Sequence, residues 1–227
     1  REGGVIKLGG YGLLENYGHL ERINDAIQTS SLKIMDEMTA DMLRQLLREM
    51  KPGTKNAVLS IPVFSAFVTL MELPEMSQKE INQAVPFEAR QYIPIPLTEV
   101  ALDWMVLGPA PGAESPKIQV LLVAVPQEII TKYQRIAELA GLRVRGLELE
   151  TIALARASIG PDPTALMLVD IGARATNISV VDEGYVRMTR SIDTGGGDLT
   201  LAISRGMNFS PQRAEEFKKA RGILAEP

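Results

Sequence analysis

Residues 166–181 read LMLVDIGARATNISVV, and the interpretation of this stretch decides the fold. The apolar run Leu166, Met167, Leu168 and Val169 has the composition of a buried strand. It ends in Asp170, turns at Gly172, passes the small polar residues Thr176 and Asn177, and re-enters strand at 178–181. A strand, a carboxylate, a glycine turn and a second strand make a hairpin whose tip can touch a phosphate. Gly172 lets the backbone bend sharply and approach an anion. Asp170, at the strand end, is placed to hold a Mg²⁺-bound water. The same residues also compose an ordinary hairpin with an acidic corner, and the segment alone does not separate the two readings.

Composition narrows the classes. A chain of 227 residues can bury a real core in one large or two small domains. With 24 basic against 28 acidic residues the net charge is −4, so nothing directs it to nucleic acid or anionic lipid. The absence of cysteine excludes disulfides and thiolate metal sites. His19 is the single histidine, which leaves a Ser-His-Asp or His-metal site without its other members. No apolar run approaches the roughly 20 residues of a membrane span. The chain opens at Arg1 in residues that already resemble a strand, and the expectation is that it begins and ends inside a longer protein.

Outward from the hairpin, strands and helices alternate. A strand is expected at 5–12, and 23–34 reads equally as strand or loop. Thr39 is placed to cap a helix running to Met50, with a methionine and leucine stripe that reads as core, and Pro52-Gly53 to end it. Strands follow at 57–63 and 65–73. Ser77 with Glu80 three residues on is a capping box. Pro86 inside the ensuing pattern predicts a kink or a new helix start. The prolines of Tyr92-Ile93-Pro94-Ile95-Pro96 forbid further helix. Trp104 falls in a strand at 101–107, and 108–116 reads as an exposed loop. Segments 117–125, 127–140 and 142–149 form a strand–helix–strand unit, with Gly141 as the helix C-cap. A short alanine-rich helix spans 151–158, and Gly160-Pro161-Asp162-Pro163 marks a domain boundary.

Beyond that boundary three signals occur in order. The first is the turn at 170–177. The second is Thr194-Gly195-Gly196-Gly197-Asp198 between a strand at 185–192 and a helix, where backbone N–H groups at a helix start can meet a phosphate or ribose. The third is a helix opened by Ser210-Pro211, with Glu215 and Lys218 on one face. Singly, each also reads as a plain turn or a solvated ion pair.

In this order, and with YIPIP (92–96), LELETIALARA (147–157), VDIGARATNISVV, IDTGGGDLTLAI (192–203) and SPQRAEEFK (210–218), the sequence resembles the PilM family of type IV pilus assembly and, more distantly, the division protein FtsA. The resemblance implies an α/β fold of the actin-like ATPase (ribonuclease H-like) class with an inserted FtsA/PilM-type, SHS2-like subdomain. Residues 1–53 and 141–160 would form the first lobe, 54–140 the insert, and 161–227 the start of the second lobe. It implies ATP and Mg²⁺ as cofactors. Asp170 (also the metal-side group), Gly172, Thr176 and Asn177 match the second phosphate hairpin. Gly195 and Gly196 match the glycine pair near ribose and phosphates, and Glu215 with Lys218 the adenosine-side helix. Glu150 lies where related ATPases place a catalytic group near the attacking water, or it serves to cap its helix.

The resemblance also implies partners. PilM proteins receive the cytoplasmic N-terminal peptide of the membrane protein PilN in a groove beside the insert. Segment 88–96 is expected to present Glu88, Tyr92, Ile93 and Ile95 to such a peptide, or else to hide its apolar residues as core. Other pilus platform and motor proteins and self-association are further expectations. The implied place is cytoplasmic, peripheral to the bacterial inner membrane, touching the membrane only through partners. The first phosphate loop of the family and the far part of its second lobe have no counterpart in the chain. Nucleotide binding by this chain is therefore expected to be weak or absent, and the intact protein at most a slow Mg²⁺-dependent ATPase. Arg174, at a position often small and hydroxylated in relatives, either reaches a phosphate or snorkels. The alternatives are a pure interaction scaffold with a vestigial nucleotide site, and an FtsA-like division protein.

Overall fold

The computed structural model describes residues 8–14, 36–110, 116–159 and 162–222. Its contacts divide the chain into two compact units, one of Arg1–Ala57, Lys132–Arg145 and Leu199–Pro227, the other of Val58–Thr131 and Gly146–Asp198. The expected 23–34 element and His19 lie outside the described residues. The described part of the expected 5–12 strand, residues 8–12, has no strand pairing.

The second unit holds two three-stranded antiparallel sheets. In the first, β2 (Phe67–Pro74) and β3 (Val100–Pro109) flank the central β4 (Lys117–Pro126). The sequence KIQVLLVAVP of β4 is almost unbroken apolar, as suits a central strand flanked on both edges: Val120, Leu121, Leu122 and Ala124 are all buried. Helix α2 (Gln78–Glu88) lies on one face, placing Ile81, Val85 and the following Ala89 against Met71, Val120 and Leu122 at the i, i+4, i+8 spacing of one helix stripe. The capping box is formed: Ser77 Oγ accepts from Glu80 N, and the Glu80 carboxylate accepts from Ser77 N at 2.8 Å. Pro86 lies inside this helix and does not start a new one. It sits two residues from the end, and the chain then tightens into the 3-10 turn Ala89–Gln91.

The second sheet orders β6 (Leu166–Ile171), β7 (Thr176–Asp182) and β8 (Tyr185–Ile192). Alternation gives it two faces. The inner face packs Leu168, Val181 and Val186 against Ile152 and Ala155 of α4 (Glu150–Ser158). On the outer face Met167, Val169 and Ile171 stand beside Met188 and Ile192, all exposed, with Met167 at 68% and Ile171 at 66%. Glu183 and Gly184 take positive φ at the tight β7–β8 turn.

The first unit contains α1 (Asp36–Met50), the last part of α3 (Gln127–Leu139), most of α5 (Gly196–Met207) and α6 (Pro211–Arg221). Thr39 lies inside α1 rather than capping it; the first described turn carries Asp36 and Glu37, acids that suit the positive helix end. Lys51, at φ +47°, takes the left-handed position ahead of Pro52-Gly53. Gly141 does end α3, at φ +78° with its N–H bonded to Glu138 O. Ser210 caps α6, accepting from Arg213 N at 3.3 Å, with Pro211 in the first turn. Strand β1 (Asn56–Ile61) pairs with β5 (Arg143–Leu149). Among the described residues no helix is long and apolar enough to cross a membrane.

Candidate functional site

The hairpin β6–β7 pairs Asp170 with Asn177 and Ile171 with Thr176. Directly opposed residues share a face, so the Asp170 and Asn177 side chains both stand on the side that α4 covers. The turn closes with Gly172 N donating to Ala175 O at 3.0 Å.

The start of α5 is welded onto this turn. Gly196 N donates to Gly172 O at 2.8 Å and Gly197 N to Ala173 O at 2.7 Å. A Cβ on Gly195 would stand 2.7 Å from Gly172 O and 2.8 Å from Ala173 O, a separation that real side chains do not reach. Thr176 Oγ1 adds a bond to Thr194 O at 2.8 Å, and Gly195 N is held by Asp198 Oδ2 at 2.8 Å. The glycine cluster thus lets two backbones close on each other. The N–H groups of Gly196 and Gly197, which the sequence points at a phosphate, are engaged by hairpin carbonyls.

Behind the turn lies a half-buried polar network. Asn177, 5% exposed, donates its amide to Glu150 Oε1 at 3.0 Å, and the same oxygen accepts from Val63 N at 3.1 Å. Glu150, the first residue of α4, therefore bridges the hairpin to the 3-10 turn Val63–Ser65 as well as standing at a helix N-terminus. Asn177 Oδ1 is buried with no hydrogen-bond partner. An unmet buried acceptor costs roughly 1–3 kcal/mol, and such groups normally bind ordered water.

That orphan oxygen tests the implied cofactor. Beside the Asp170 carboxylate it makes a pair of acceptors suited to the water shell of a Mg²⁺ ion, which dehydrates reluctantly. Among the described residues no group of three or more acids or histidines could hold a bare metal ion. The donor set would suit a hydrated cation bound through water.

Arg174 occupies the hairpin tip. Its guanidinium lies over the Phe64 ring, 4.7 Å from the centroid, and its Nε is 3.5 Å from Asp193 Oδ1. Each contact is of a weak, half-exposed class, worth on the order of 1 kcal/mol.

Glu215 and Lys218 belong to the other unit. Lys218 Nζ donates to Glu215 Oε2 at 2.6 Å and to Thr200 Oγ1 at 2.8 Å, and the fully buried Thr200 hydroxyl also donates to Glu215. Burial pushes the Glu215 carboxyl up, but the Lys218 and Thr200 hydrogen bonds, with the Lys218 and Lys219 charges, outweigh it and hold the pKa below the ordinary value.

Of the residues expected to meet a peptide, Ile93 is 6% exposed and belongs to the core of the β2–β4–β3 sheet, and Ile95 packs partly against it. Tyr92 is 44% exposed, and Glu88 accepts from Gln91 at 2.7 Å. Sequence reasoning missed a different feature on the opposite face of that sheet. A groove of about 550 Å³ is lined by Val58, Ile61, Met105, Val123, Leu147 and Ile152, with the Glu148–Arg156 ion pair at its rim. The lining comes from five separate segments, so no local pattern announces it. The one available signal was a large apolar side chain, Met105, at an exposed strand position.

This mixed α/β chain holds two separate three-stranded antiparallel sheets, with the Asp170 hairpin locked by a glycine-opened helix. Residues 9–226 match the family Type IV pilus assembly protein PilM, and the chain belongs to that family. A solved PilM–PilN type IV pilus biogenesis complex superposes with a TM-score of 0.71 at 28% identity, over 83% of this chain and 57% of that one. Cell division protein FtsA of Bacillus subtilis is 32% identical over 108 residues, 47% of this chain and 24% of the relative. FtsA of Neisseria meningitidis is 25% identical over 165 residues, 66% of this chain and 39% of the relative. The chain spans between a quarter and three fifths of the length of these proteins.

Proposed function

We propose that the chain is the nucleotide-hairpin and insert portion of an ATP-binding scaffold in a type IV pilus assembly platform. In this reading the scaffold sits in the cytoplasm, at the inner membrane through its partners, and takes the N-terminal peptide of a PilN-type membrane protein. Residues 1–53 with 141–160, 54–140, and 161–227 would serve as first lobe, insert and start of the second lobe. The observation that carries the nucleotide half is the unpartnered Asn177 Oδ1 beside Asp170, on a turn that Gly195 locks to α5. Asp170 and Asn177 would accept hydrogen bonds from the waters of a bound Mg²⁺, which would supply charge neutralisation to the phosphates. Glu150, which already holds Asn177, is the group to orient an attacking water if turnover occurs. The peptide half is supported by family membership, by the PilN named in the superposed complex, and by the apolar groove.

The test is thermal unfolding of the full-length protein with and without Mg·ATP, beside Asp170→Ala. Ligand at about 100 times its Kd adds about 2.7 kcal/mol, expected in the parent and largely lost in the variant. A scaffold reading without nucleotide has its own support: the Gly196 and Gly197 N–H groups and the Glu215–Lys218–Thr200 triad are satisfied within the protein. An unshifted parent melt would decide for it. Family membership favours the pilus over an FtsA-like division role.

A further inference from the structure

We propose that Arg174 senses the terminal phosphate of a bound triphosphate, and that Phe64 is the seat it leaves, so that the turn Val63–Ser65 registers which nucleotide is present. This rests on the nucleotide reading of the Asp170 hairpin. Arg174 stands two residues after Gly172, in the turn where phosphate would lie, and is the cation of that turn. Its contacts include a ring face at 4.7 Å and an exposed carboxylate, Asp193, at 3.5 Å. Both are the kind of interaction that a charge-assisted, two-pronged bond to phosphate displaces. A diphosphate, with less charge and shorter reach, leaves the guanidinium where it is.

The seat is not an arbitrary surface ring. Phe64 is the middle residue of the 3-10 turn that ends β1 and leads, through Ala66, into β2 of the inserted sheet. The same turn is tied to the hairpin a second time, through Val63 N and Glu150, which also holds Asn177. Two groups of the candidate nucleotide hairpin, one at its tip and one behind it, therefore converge on three residues at the entrance to the insert. Releasing Arg174 from Phe64 removes one of the two ties and leaves the other, a change of constraint that the turn would show without a rearrangement of the sheet.

The experiment uses the full-length protein, its Arg174→Ala, Arg174→Lys and Phe64→Leu variants, and displacement of a fluorescent nucleotide by ATP or ADP with Mg²⁺. Amide hydrogen exchange at 63–66 is followed in parallel. Arg174→Ala is expected to weaken ATP by about tenfold, the size of one charge-assisted hydrogen bond, while ADP changes by less than about twofold. Arg174→Lys should recover part of the preference, and Phe64→Leu should tighten ATP, because the competing seat is gone. ATP but not ADP should speed exchange at 63–66 in the parent, and neither should in Arg174→Ala. If both nucleotides bind and the ATP/ADP ratio is unchanged in Arg174→Ala, or if exchange at 63–66 ignores ATP, this inference is wrong while the nucleotide reading survives. If neither nucleotide binds the parent, both fall.

Discussion

Asn177 and Glu150, 27 residues apart in sequence, meet in a 3.0 Å hydrogen bond that fixes the back of the β6–β7 hairpin to the first turn of α4. Because Glu150 Oε1 also accepts from Val63 N, a single carboxylate oxygen orders three segments of the chain. Replacing Glu150 by Ala strands two donors in half-buried surroundings and should cost roughly 1–3 kcal/mol in urea unfolding. Glu150→Gln keeps an acceptor oxygen and should cost less than Glu150→Ala. Equal losses would show that the charge, rather than the hydrogen bonds, holds the segments.

Two glycines of one helical region should respond to alanine with opposite signs. At Gly195 the added carbon meets Gly172 O at 2.7 Å, so Gly195→Ala has to push α5 off the hairpin, a loss of about 1–3 kcal/mol typical of overpacking. At Gly206, inside α5, a Cβ meets nothing within 4 Å. There the alanine only gains helix propensity and reduces the freedom of the unfolded chain, adding about 0.4–1 kcal/mol. Melting of the two variants side by side checks both.

The Glu215 carboxyl sets a pH dependence. Its pKa is lower in the folded protein than the 4.5 of an unperturbed glutamate, so the folded state binds the proton less well than the unfolded one. The stabilisation is fully present above about that value and is lost as pH falls through the depressed folded pKa. Lys218→Met removes the largest hydrogen bond and one of the charges that lower the pKa, leaving burial opposed by the Thr200 hydrogen bond and the Lys219 charge. Comparison of urea midpoints between pH 3 and pH 6 should show a shallower acid loss in the variant than in the parent.

The peptide surface can be located with two substitutions at exposed positions. Met105→Glu places a charge in the groove and should weaken a PilN-type N-terminal peptide by about tenfold or more, since burying an unpaired carboxylate is costly. Tyr92→Ala, on the opposite side of the insert sheet, should leave affinity near that of the parent. Calorimetric titration of the same peptide reverses the assignment if Tyr92→Ala is the damaging change.

Local chemistry was readable from sequence wherever a few adjacent residues suffice. The Ser77/Glu80 box, the Gly141 and Ser210 caps and the strand–turn–strand at 166–181 all depend on neighbours within four residues or on period-two alternation. Thr39 misled because a helix start depends on where the rest of the helix lies, and that is fixed by packing. For Ile93 the sequence left a surface rim and hidden core both open, and the sheet beneath takes it as core. Glycines 195–197 were visible as important, but whether their N–H groups meet a ligand or the hairpin turns on Gly172 and Ala173, over twenty residues away. The groove, the Asn177 orphan oxygen and the Arg174–Phe64 stack arise from long-range contacts that no window of sequence contains.

The outer side of β6–β7–β8 governs how the chain behaves in bulk. A sheet face carrying exposed methionine, valine and isoleucine, whose edge strands have no further partner among the described residues, is attracted to glass, resin and other copies of itself. The four excess negative charges oppose that attraction only while they are unscreened. Preparations should scatter more light as salt rises and bind phenyl-substituted chromatography media firmly. Replacing Met167 and Ile171 with lysine and threonine should reverse both tendencies with the fold intact.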